Sequence, residues 1–493
     1  MSRNAAGIGL PCACALAAAF VLFWPVSPAR AQTRPEHNRF NVLFIAIDDL
    51  RPELGCYGAP HAQSPNLDRF AESAVVFTRH YVQVPTCGAS RYALLTGRSP
   101  RQSGATSGNH SFYADPAQLL PEQLAGAQSL PERFRRSGYA TVCIGKVSHT
   151  PDGRVYEYDG RGDGRPEMPH AWDEFHTPFG PWKRGWGAFF AYAGGRHRED
   201  GGGHRDLMEF TAAEDASLPD GLLAESALGQ IRRFVEDRRR FFIGLGFFKP
   251  HLPFVATVAD WAAFEGLDDP VSAPLAGKPD SSYWHRSAEF HQYAFPFPRQ
   301  RPLPPRSANA ARTAYRACVR YTDRQVGKVL DALDASGIAD ETIVVVWGDH
   351  GWHLGEQEIW GKHSPFERAL RSVLMIRVPG LTAHGRSSDA LVESLDVYPT
   401  LVELCNPLFQ QTAHPLDGVS VAPVLRGESP SVRDAAISYW QDAVSIREPG
   451  RRTIARIRDG NISDVEAYDM TASEDGRRMP SPDPATTQRL FAR

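Results

Sequence analysis

The chain has 493 residues, of which 42% are hydrophobic and 10% aromatic, so it can bury a large core and is not a disordered protein. Lysine and arginine number 54 against 57 aspartate and glutamate residues, which gives a formal charge of −3. This balance excludes the basic surplus typical of nucleic-acid-binding proteins. Any anion-binding site in the chain must therefore be local.

The amino-terminal segment has the pattern of an export signal. Arg3 provides a positive charge ahead of the apolar run Cys12–Trp24, and Ala29-Arg30-Ala31 has the small-residue spacing of a cleavage site. The apolar run is short for a membrane span, although a membrane anchor is the alternative interpretation. We expect residues 1–31 to be removed, which predicts a secreted or periplasmic protein with no membrane span in the mature chain.

Four apolar runs predict the central strands of a sheet. Their apolarity is continuous rather than alternating, which is typical of parallel strands covered by helices on both faces. The runs are Asn41–Ile47, Thr141–Ile144, Phe241–Phe248 and Thr342–Trp347. The fold class that we expect is α/β, with a large mixed, mainly parallel sheet sandwiched by helices.

Helical periodicity and capping residues predict three helices between and after these strands. They cover Ser64–Ser73, Thr313–Leu333 and Leu391–Leu404. Beyond about residue 430, the short alternating stretches Val444–Ile446 and Thr453–Ile457 indicate a small antiparallel sheet. We expect a catalytic domain over residues 32–425 and a C-terminal subdomain over residues 426–493.

Charged and imidazole side chains follow each of the four predicted strands. In an open α/β sheet, ligands bind outside the carboxyl ends of the strands, so these side chains should meet at one edge. A cation would resolve the crowding of three carboxylates, and oxygen ligands with an imidazole favour Ca²⁺ or Mg²⁺ over Mn²⁺ or Zn²⁺. Taken singly, each Asp could instead cap a helix or face solvent. The side chains are those of Asp48, Asp49, Lys146, His149, Lys249, His251, Asp349 and His350.

One cysteine stands in a chemically distinctive position. Tyr92–Leu95 predicts a short helix ended by Gly97, which places Cys87 at or just before the helix amino terminus, where the dipole favours anions. Arg91 would be its i,i+4 neighbour, so the pattern predicts an activated thiol beside a site for a tetrahedral oxyanion. Five cysteines remain after removal of residues 1–31, and a disulfide between Cys87 and one of the others is the alternative.

The segment around Cys87 resembles the signature of a known family. Cys87-Gly-Ala-Ser-Arg91, followed by Leu95-Thr-Gly-Arg98, resembles the signature of type I sulfatases of the alkaline phosphatase superfamily. Further segments resemble the iduronate-2-sulfatase branch, and together the matches extend over roughly residues 40 to 475. They are Asn41–Gly58, Gly145–His149, Lys249–Phe254, Gly348–Trp352, Leu354–Glu356, Pro415–Gly418 and Tyr468–Asp469.

The resemblance implies a metal and a modified residue. One Ca²⁺ per chain would be held by Asp48, Asp49, Asp349 and His350, and it would also touch the group derived from Cys87. In the family, a maturation enzyme oxidises this cysteine to formylglycine, whose hydrate attacks the sulfur of the substrate. The implied substrate is a sulfated carbohydrate, with the 2-O-sulfate of a uronic acid as the specific expectation.

The resemblance also implies roles for the cationic residues. Arg91 would hold the formylglycine hydrate, and Lys146, His149 and Lys362 would bind the sulfate oxygens. His251 would lie near the leaving oxygen, and either Lys362 or His251 would protonate that oxygen.

Two positions depart from the commonest family pattern. Ala89 stands where Pro is most frequent, and His350 stands where many arylsulfatases have Asn, as in the iduronate branch. Two other functions stay open from the sequence. One is a phosphonate or phosphodiester hydrolase of the same superfamily, and the other is an inactive, glycan-binding relative with an unmodified Cys87.

Overall fold

The computed structural model describes residues 37–114, 116–269, 287–297, 302–382, 385–471, 473, 475–480, 482 and 487. The predicted signal segment, residues 1–31, lies outside the described residues. The strands are β1 (Asn41–Ile47), β2 (Val75–Tyr81), β3 (Ala140–Gly145), β4 (Glu174–Phe175), β5 (Met208–Ala212), β6 (Phe241–Phe247), β7 (Phe254–Thr257), β8 (Thr342–Gly348), β9 (His353–Leu354), β10 (Trp360–Gly361), β11 (Leu374–Arg377), β12 (Arg386–Glu393), β13 (Ala436–Trp440), β14 (Ala443–Glu448), β15 (Arg451–Arg458), β16 (Asn461–Asp469) and β17 (Arg477–Met479).

The helices surround the larger sheet. They are α1 (Pro65–Ala71), α2 (Cys87–Thr96), α3 (Pro100–Ser103), α4 (Leu130–Arg136), α5 (Gly185–Phe189), α6 (Pro219–Asp237), α7 (Val258–Ala262), α8 (Pro305–Ala335), α9 (Glu367–Leu370), α10 (Val397–Cys405) and α11 (Ala422–Arg426). Within the described residues, no helix is both long and apolar enough to cross a membrane.

The four predicted strands form the centre of an eight-stranded sheet with the order β12-β2-β11-β8-β1-β6-β3-β4. β1 pairs in parallel with β6 and β8, and β3 pairs in parallel with β6 and β4, whereas β11 runs antiparallel to its neighbours. The prediction of a mixed, mainly parallel sheet is therefore confirmed. All residues of β1, β3, β6 and β8 are buried, as continuous apolar strands require.

Alternate side chains of the sheet pack into two separate cores. Leu43 and Ile45 of β1 pack with the long helices α6 and α8 on one face. Val42 and Phe44 pack with α2, α4 and α10 on the other face. Because successive side chains of a strand point to opposite faces, a strand that is apolar throughout serves both cores.

Two predicted helices differ from the structure in extent. The helix predicted from Thr313 begins earlier, at Pro305, where a proline fits the first turn of a helix. The helix predicted over Leu391–Leu404 is wrong in its first part, because Leu391–Glu393 complete β12 and the helix itself begins at Val397. Pairing with β2 takes these residues into the sheet, although their apolar spacing fits a helix equally well.

The C-terminal residues form the small antiparallel sheet that the alternating stretches predicted. It has five strands in the order β13-β14-β15-β16-β17. A buried glutamate joins it to the rest of the chain, because Glu367 of α9 accepts hydrogen bonds from Arg447 of β14 and Arg452 of β15. All five cysteines of the described residues are free, so Cys87 forms no disulfide there.

Candidate active site

The carboxyl ends of the four central strands lie level with one another. Ile47 of β1 pairs with both Phe247 of β6 and Gly348 of β8, and Gly145 of β3 pairs with Gly246 of β6. The next residues in each strand therefore emerge at one edge of the sheet. Every polar residue that the sequence placed after these strands is buried there.

Helix α2 brings Cys87 to this edge as its first residue. The chain enters the helix through Thr86 in an extended conformation, and Gly97 ends it in a left-handed one. Gly88 is needed because a Cβ at this position would overlap the backbone of Asn109. The Asn109 side chain also accepts a hydrogen bond from the Gly88 N–H at 3.0 Å. Asn109 thus fixes the amino terminus of α2.

The sulfur of Cys87 lies among residues from three different strands and loops. Its Sγ is 3.3 Å from Asp48 Oδ1, 3.3 Å from His350 Nε2 and 3.2 Å from Lys362 Nζ. Candidate ligand atoms of Asp48, Asp49, Cys87 and His350 all lie within 4.8 Å of one another. The structure thus brings together four of the five residues expected to surround a metal.

Asp349, the fifth expected ligand, adjoins the same cluster. Its Oδ1 accepts a hydrogen bond from the Asp49 N–H at 2.9 Å and lies 3.6 Å from His350 Nε2. Asp49 has a left-handed backbone with φ of 60°, which is uncommon for a residue other than glycine and typical of functional sites. With this backbone conformation, the carboxylates of the consecutive residues Asp48 and Asp49 lie in the same cluster.

The cluster fits a divalent cation. Asp49 Oδ2 is buried and has no hydrogen-bond partner within the described residues. Burial raises the pKa of Asp49 well above its usual value, and burial together with the Asp48 charge raises the pKa of Asp349 to about 6. Crowded, buried carboxylates of this kind are what a bound cation stabilises. The residues present therefore fit a bound metal ion.

Three buried cations balance these carboxylates. Lys146 Nζ is 2.6 Å from Asp48 Oδ2, and Lys362 Nζ is 2.8 Å from Asp49 Oδ1. Arg91 donates from Nε to Asp349 Oδ2 at 2.9 Å and from Nη1 to the backbone carbonyls of Lys146 and Val147. The Arg91 guanidinium is therefore tied to Asp349 and to the end of β3, while its buried Nη2 makes no hydrogen bond within the described residues.

The environment of the Cys87 thiol affects its pKa in two opposing ways. The helix amino terminus and Arg91 predicted an activated thiol, which requires a lowered pKa. In the structure, burial and the neighbouring charge of Asp48 raise the pKa of Cys87 well above its usual value, against the opposing effects of Lys146 and Lys362. Desolvation of the thiolate is the largest of these effects, because the sulfur is almost fully buried.

His149 is buried at the same edge with both ring nitrogens unpartnered among the described residues. Its ring lies 5.5 Å from the ring of Trp186 and 6.4 Å from that of His110. Burial, followed by the charge of Lys146, lowers its pKa well below the usual value, so the imidazole is neutral. A neutral imidazole carries one N–H donor and one acceptor nitrogen.

His251 and Lys249 serve different purposes in the loop after β6. Lys249 donates to the backbone carbonyls of His251 and Pro253 at 2.8 and 2.6 Å, so this lysine supports the loop and does not face the cluster. His251 directs Nε2 toward the site, 3.9 Å from Asp49 Oδ2 and 3.5 Å from Glu289 Oε1.

The structure adds residues that the sequence did not indicate. Glu289 lies within 3.8 Å of Lys362 Nζ as well as beside His251. The ring of Phe189 lies 4.1 Å from Lys146 Nζ and 4.6 Å from the His251 ring. Glu289 belongs to a segment with no periodic pattern, and Phe189 lies in the five-residue helix α5, which is too short to show a clear helical periodicity. No local signal identified them.

Comparison with known proteins agrees with this geometry. The family model described as Sulfatase matches residues 40–407. Iduronate 2-sulfatase of Mus musculus is 30% identical over 412 residues, which cover 76% of this chain and 70% of that protein. A sulfatase of Formosa agariphila is 30% identical over 397 residues, covering 76% and 71%. The chain belongs to the sulfatase family of the alkaline phosphatase superfamily, and it is a sulfuric ester hydrolase.

Solved structures share the fold. A phosphonate monoester hydrolase from Silicibacter pomeroyi aligns with a TM-score of 0.70 at 23% identity, covering 92% of this chain and 93% of that one. A 2-O GAG sulfatase aligns with a TM-score of 0.60 at 21% identity, covering 92% and 90%. At these identities, the alignments establish the architecture and do not separate one activity from another.

The close approach of α2 to Asn109 predicts that Gly88→Ala lowers activity strongly. The added methyl group must displace the Asn109 backbone, which shifts Cys87 relative to Asp48 and Lys362. A matched control is Gly229→Ala in α6, where a Cβ meets no atom within 4 Å. We expect kcat to fall at least about tenfold in the first variant, as displacements near 1 Å do at active sites, and to be unchanged in the second. Equal kcat in both variants would contradict this account.

Proposed function

We propose that this enzyme removes sulfate esters from carbohydrates, with the 2-O-sulfate of uronic acid residues in glycosaminoglycan-like glycans as the substrate. The observation that carries the proposal is the position of Cys87 at the start of a buried helix, among carboxylates that fit a cation and beside Lys146 and Lys362. The similarity to iduronate 2-sulfatases supports the sugar specificity. A secreted or periplasmic location, with a catalytic domain over residues 32–425 and a subdomain over 426–493, belongs to the same proposal.

Ca²⁺ is the metal we propose for the cluster. Asp48, Asp49, Asp349 and His350 would hold it, together with the group derived from Cys87. The bound ion would supply positive charge next to the reacting sulfate group. The unpartnered Asp49 Oδ2 and the crowded carboxylates support this assignment.

Formylglycine derived from Cys87 is the nucleophile we propose, produced by a separate maturation enzyme. Its hydrate would supply the oxygen that attacks sulfur. Lys362 Nζ, 3.2 Å from the present sulfur atom, would hold that oxygen in position. Arg91 would contribute through Nη2, which makes no hydrogen bond within the described residues and lies 3.6 Å from Asp48 Oδ1, and by holding Asp349 in place.

Cationic and imidazole side chains around the cluster would bind the sulfate group. Lys146, Lys362 and the single N–H of the neutral His149 imidazole would donate to the sulfate oxygens, whose negative charge they stabilise. His251 would lie on the side of the leaving sugar oxygen, where either His251 or Lys362 protonates it. Their positions 3.9 and 2.8 Å from Asp49 place both near the same end of the cluster.

The metal content of two variants distinguishes the proposed metal ligand Asp349 from the proposed sulfate-binding residue Lys362. Asp349→Ala should abolish both metal binding and activity, because it removes a ligand and releases Arg91. Lys362→Ala should abolish turnover and retain the metal, because the lysine contacts the cluster only as a cation. Elemental analysis of the purified variants, with wild type as reference, measures both outcomes. A full calcium content in Asp349→Ala would contradict the ligand assignment.

Substrate choice tests the proposed reaction against its alternatives. We expect the matured enzyme to hydrolyse 2-O-sulfated uronate disaccharides with a kcat/KM at least about a hundredfold above that for matched phosphate or phosphonate esters. A preference for the phosphorus esters would favour the phosphonate or phosphodiester hydrolase. Binding of the sulfated disaccharide without turnover by protein from its native host would favour an inactive, glycan-binding relative.

A further inference from the structure

A cavity lies on Trp186, whose ring contacts His149 of the candidate active site. Its volume is about 480 Å³, within the usual range of small-ligand pockets, about 300 to 1,000 Å³. None of the proposed catalytic or metal-binding residues lines it. The segment from β3 to the start of α5 forms its walls, with Tyr156, Phe175, Phe179 and Trp186 as the aromatic residues. Aromatic walls with a few polar groups are typical of sites that bind ring-shaped ligands.

The cavity is positively charged. Arg154, Lys183 and Arg184 line it, against a single carboxylate, Asp152. The exposed ammonium group of Lys183 has no hydrogen bond or ion pair with any residue that the structure describes. The two arginines are held by the protein itself, since Arg154 lies 4.4 Å from the ring centroid of Phe175 and Arg184 donates to the Glu199 carbonyl at 2.9 Å. The net positive charge favours an anionic ligand.

Trp186 connects the cavity to the catalytic site. It lines the cavity, and its ring centroid lies 5.5 Å from that of His149, which we assign to the sulfate group. The ring is fixed by stacking on Phe190 at 5.8 Å, by an edge contact with Tyr158 at 4.7 Å and by a 2.8 Å hydrogen bond to the Tyr156 carbonyl. One rigid indole therefore forms the boundary between the two sites.

We propose that this cavity is a second subsite that binds an anionic sugar residue of the same glycan chain whose sulfate ester occupies the catalytic site. The aromatic walls would pack against the sugar ring, and Lys183, with Arg154 and Arg184, would bind its carboxylate or sulfate group. The proposal rests on the proposed function, because it takes a sulfated glycan as the substrate. It predicts that the enzyme prefers oligosaccharides to isolated sulfated monosaccharides.

Lys183→Glu tests the subsite with little risk to folding, because Lys183 is exposed and its ammonium group is unpartnered among the described residues. Arg239→Glu makes the same change of charge at an exposed residue before β6, at the opposite edge of the sheet. We expect Lys183→Glu to raise the KM for a 2-O-sulfated uronate tetrasaccharide about fivefold, the scale of one exposed charge contact. Its kcat/KM for the matched sulfated monosaccharide should equal that of wild type, and Lys183→Arg should restore the tetrasaccharide KM.

A binding measurement separates failure of the subsite from failure of the proposed function. The probe is an anionic uronate tetrasaccharide without the 2-O-sulfate ester, titrated calorimetrically into wild type and both charge variants. Weaker binding by Lys183→Glu alone supports the subsite, even if wild type hydrolyses none of the sulfated sugars and the proposed function fails. Equal affinity in Lys183→Glu and Arg239→Glu, or equal tetrasaccharide KM values in the two, would overturn the subsite.

Discussion

The burial of three carboxylates at one edge of a parallel sheet is the constraint on which the rest of the site depends. Asp48, Asp49 and Asp349 are almost completely removed from water, and desolvated charges of one sign are unfavourable unless cations compensate them. Lys146, Lys362 and Arg91 supply part of that compensation at 2.6 to 2.9 Å. The proposed Ca²⁺ supplies the rest of the compensating positive charge. The buried carboxylates would bind this metal, and the cationic side chains beside them would bind a sulfate group.

The register of the paired central strands brings the three carboxylates to this edge of the sheet. Because β1, β3, β6 and β8 end level with one another, residues far apart in the chain lie side by side. One hydrophobic core on each face of the sheet holds these strands in place. Helix α2, which packs on one face of the sheet, contributes Cys87, and Asn109 fixes the first turn of this helix. A rigid arrangement of this kind is what electrostatic catalysis requires, since its charges need no reorganisation during the reaction.

Sequence patterns could predict the parts of this arrangement that depend on local periodicity. Continuous apolar runs identified all four central strands, and the polar residues after them identified the edge where they meet. Leu391–Glu393 were misassigned because a short apolar run fits a helix or a strand, and pairing with β2 decides between them. Burial raises the pKa of Cys87, and burial is a tertiary property that an argument from the helix dipole does not include. Glu289 lies in a segment without a periodic pattern and Trp186 in the five-residue helix α5, and only the folded chain brings these two residues to the site.

The mass of the peptide that contains Cys87, from protein produced by its native host, tests the central claim most directly. The claim is that the carboxylate cluster, the three cations and the start of α2 form a site for a formylglycine nucleophile. The account predicts an aldehyde in place of the thiol, seen as a lighter peptide that reacts with hydrazide reagents. An unmodified thiol in active protein from that host would contradict it.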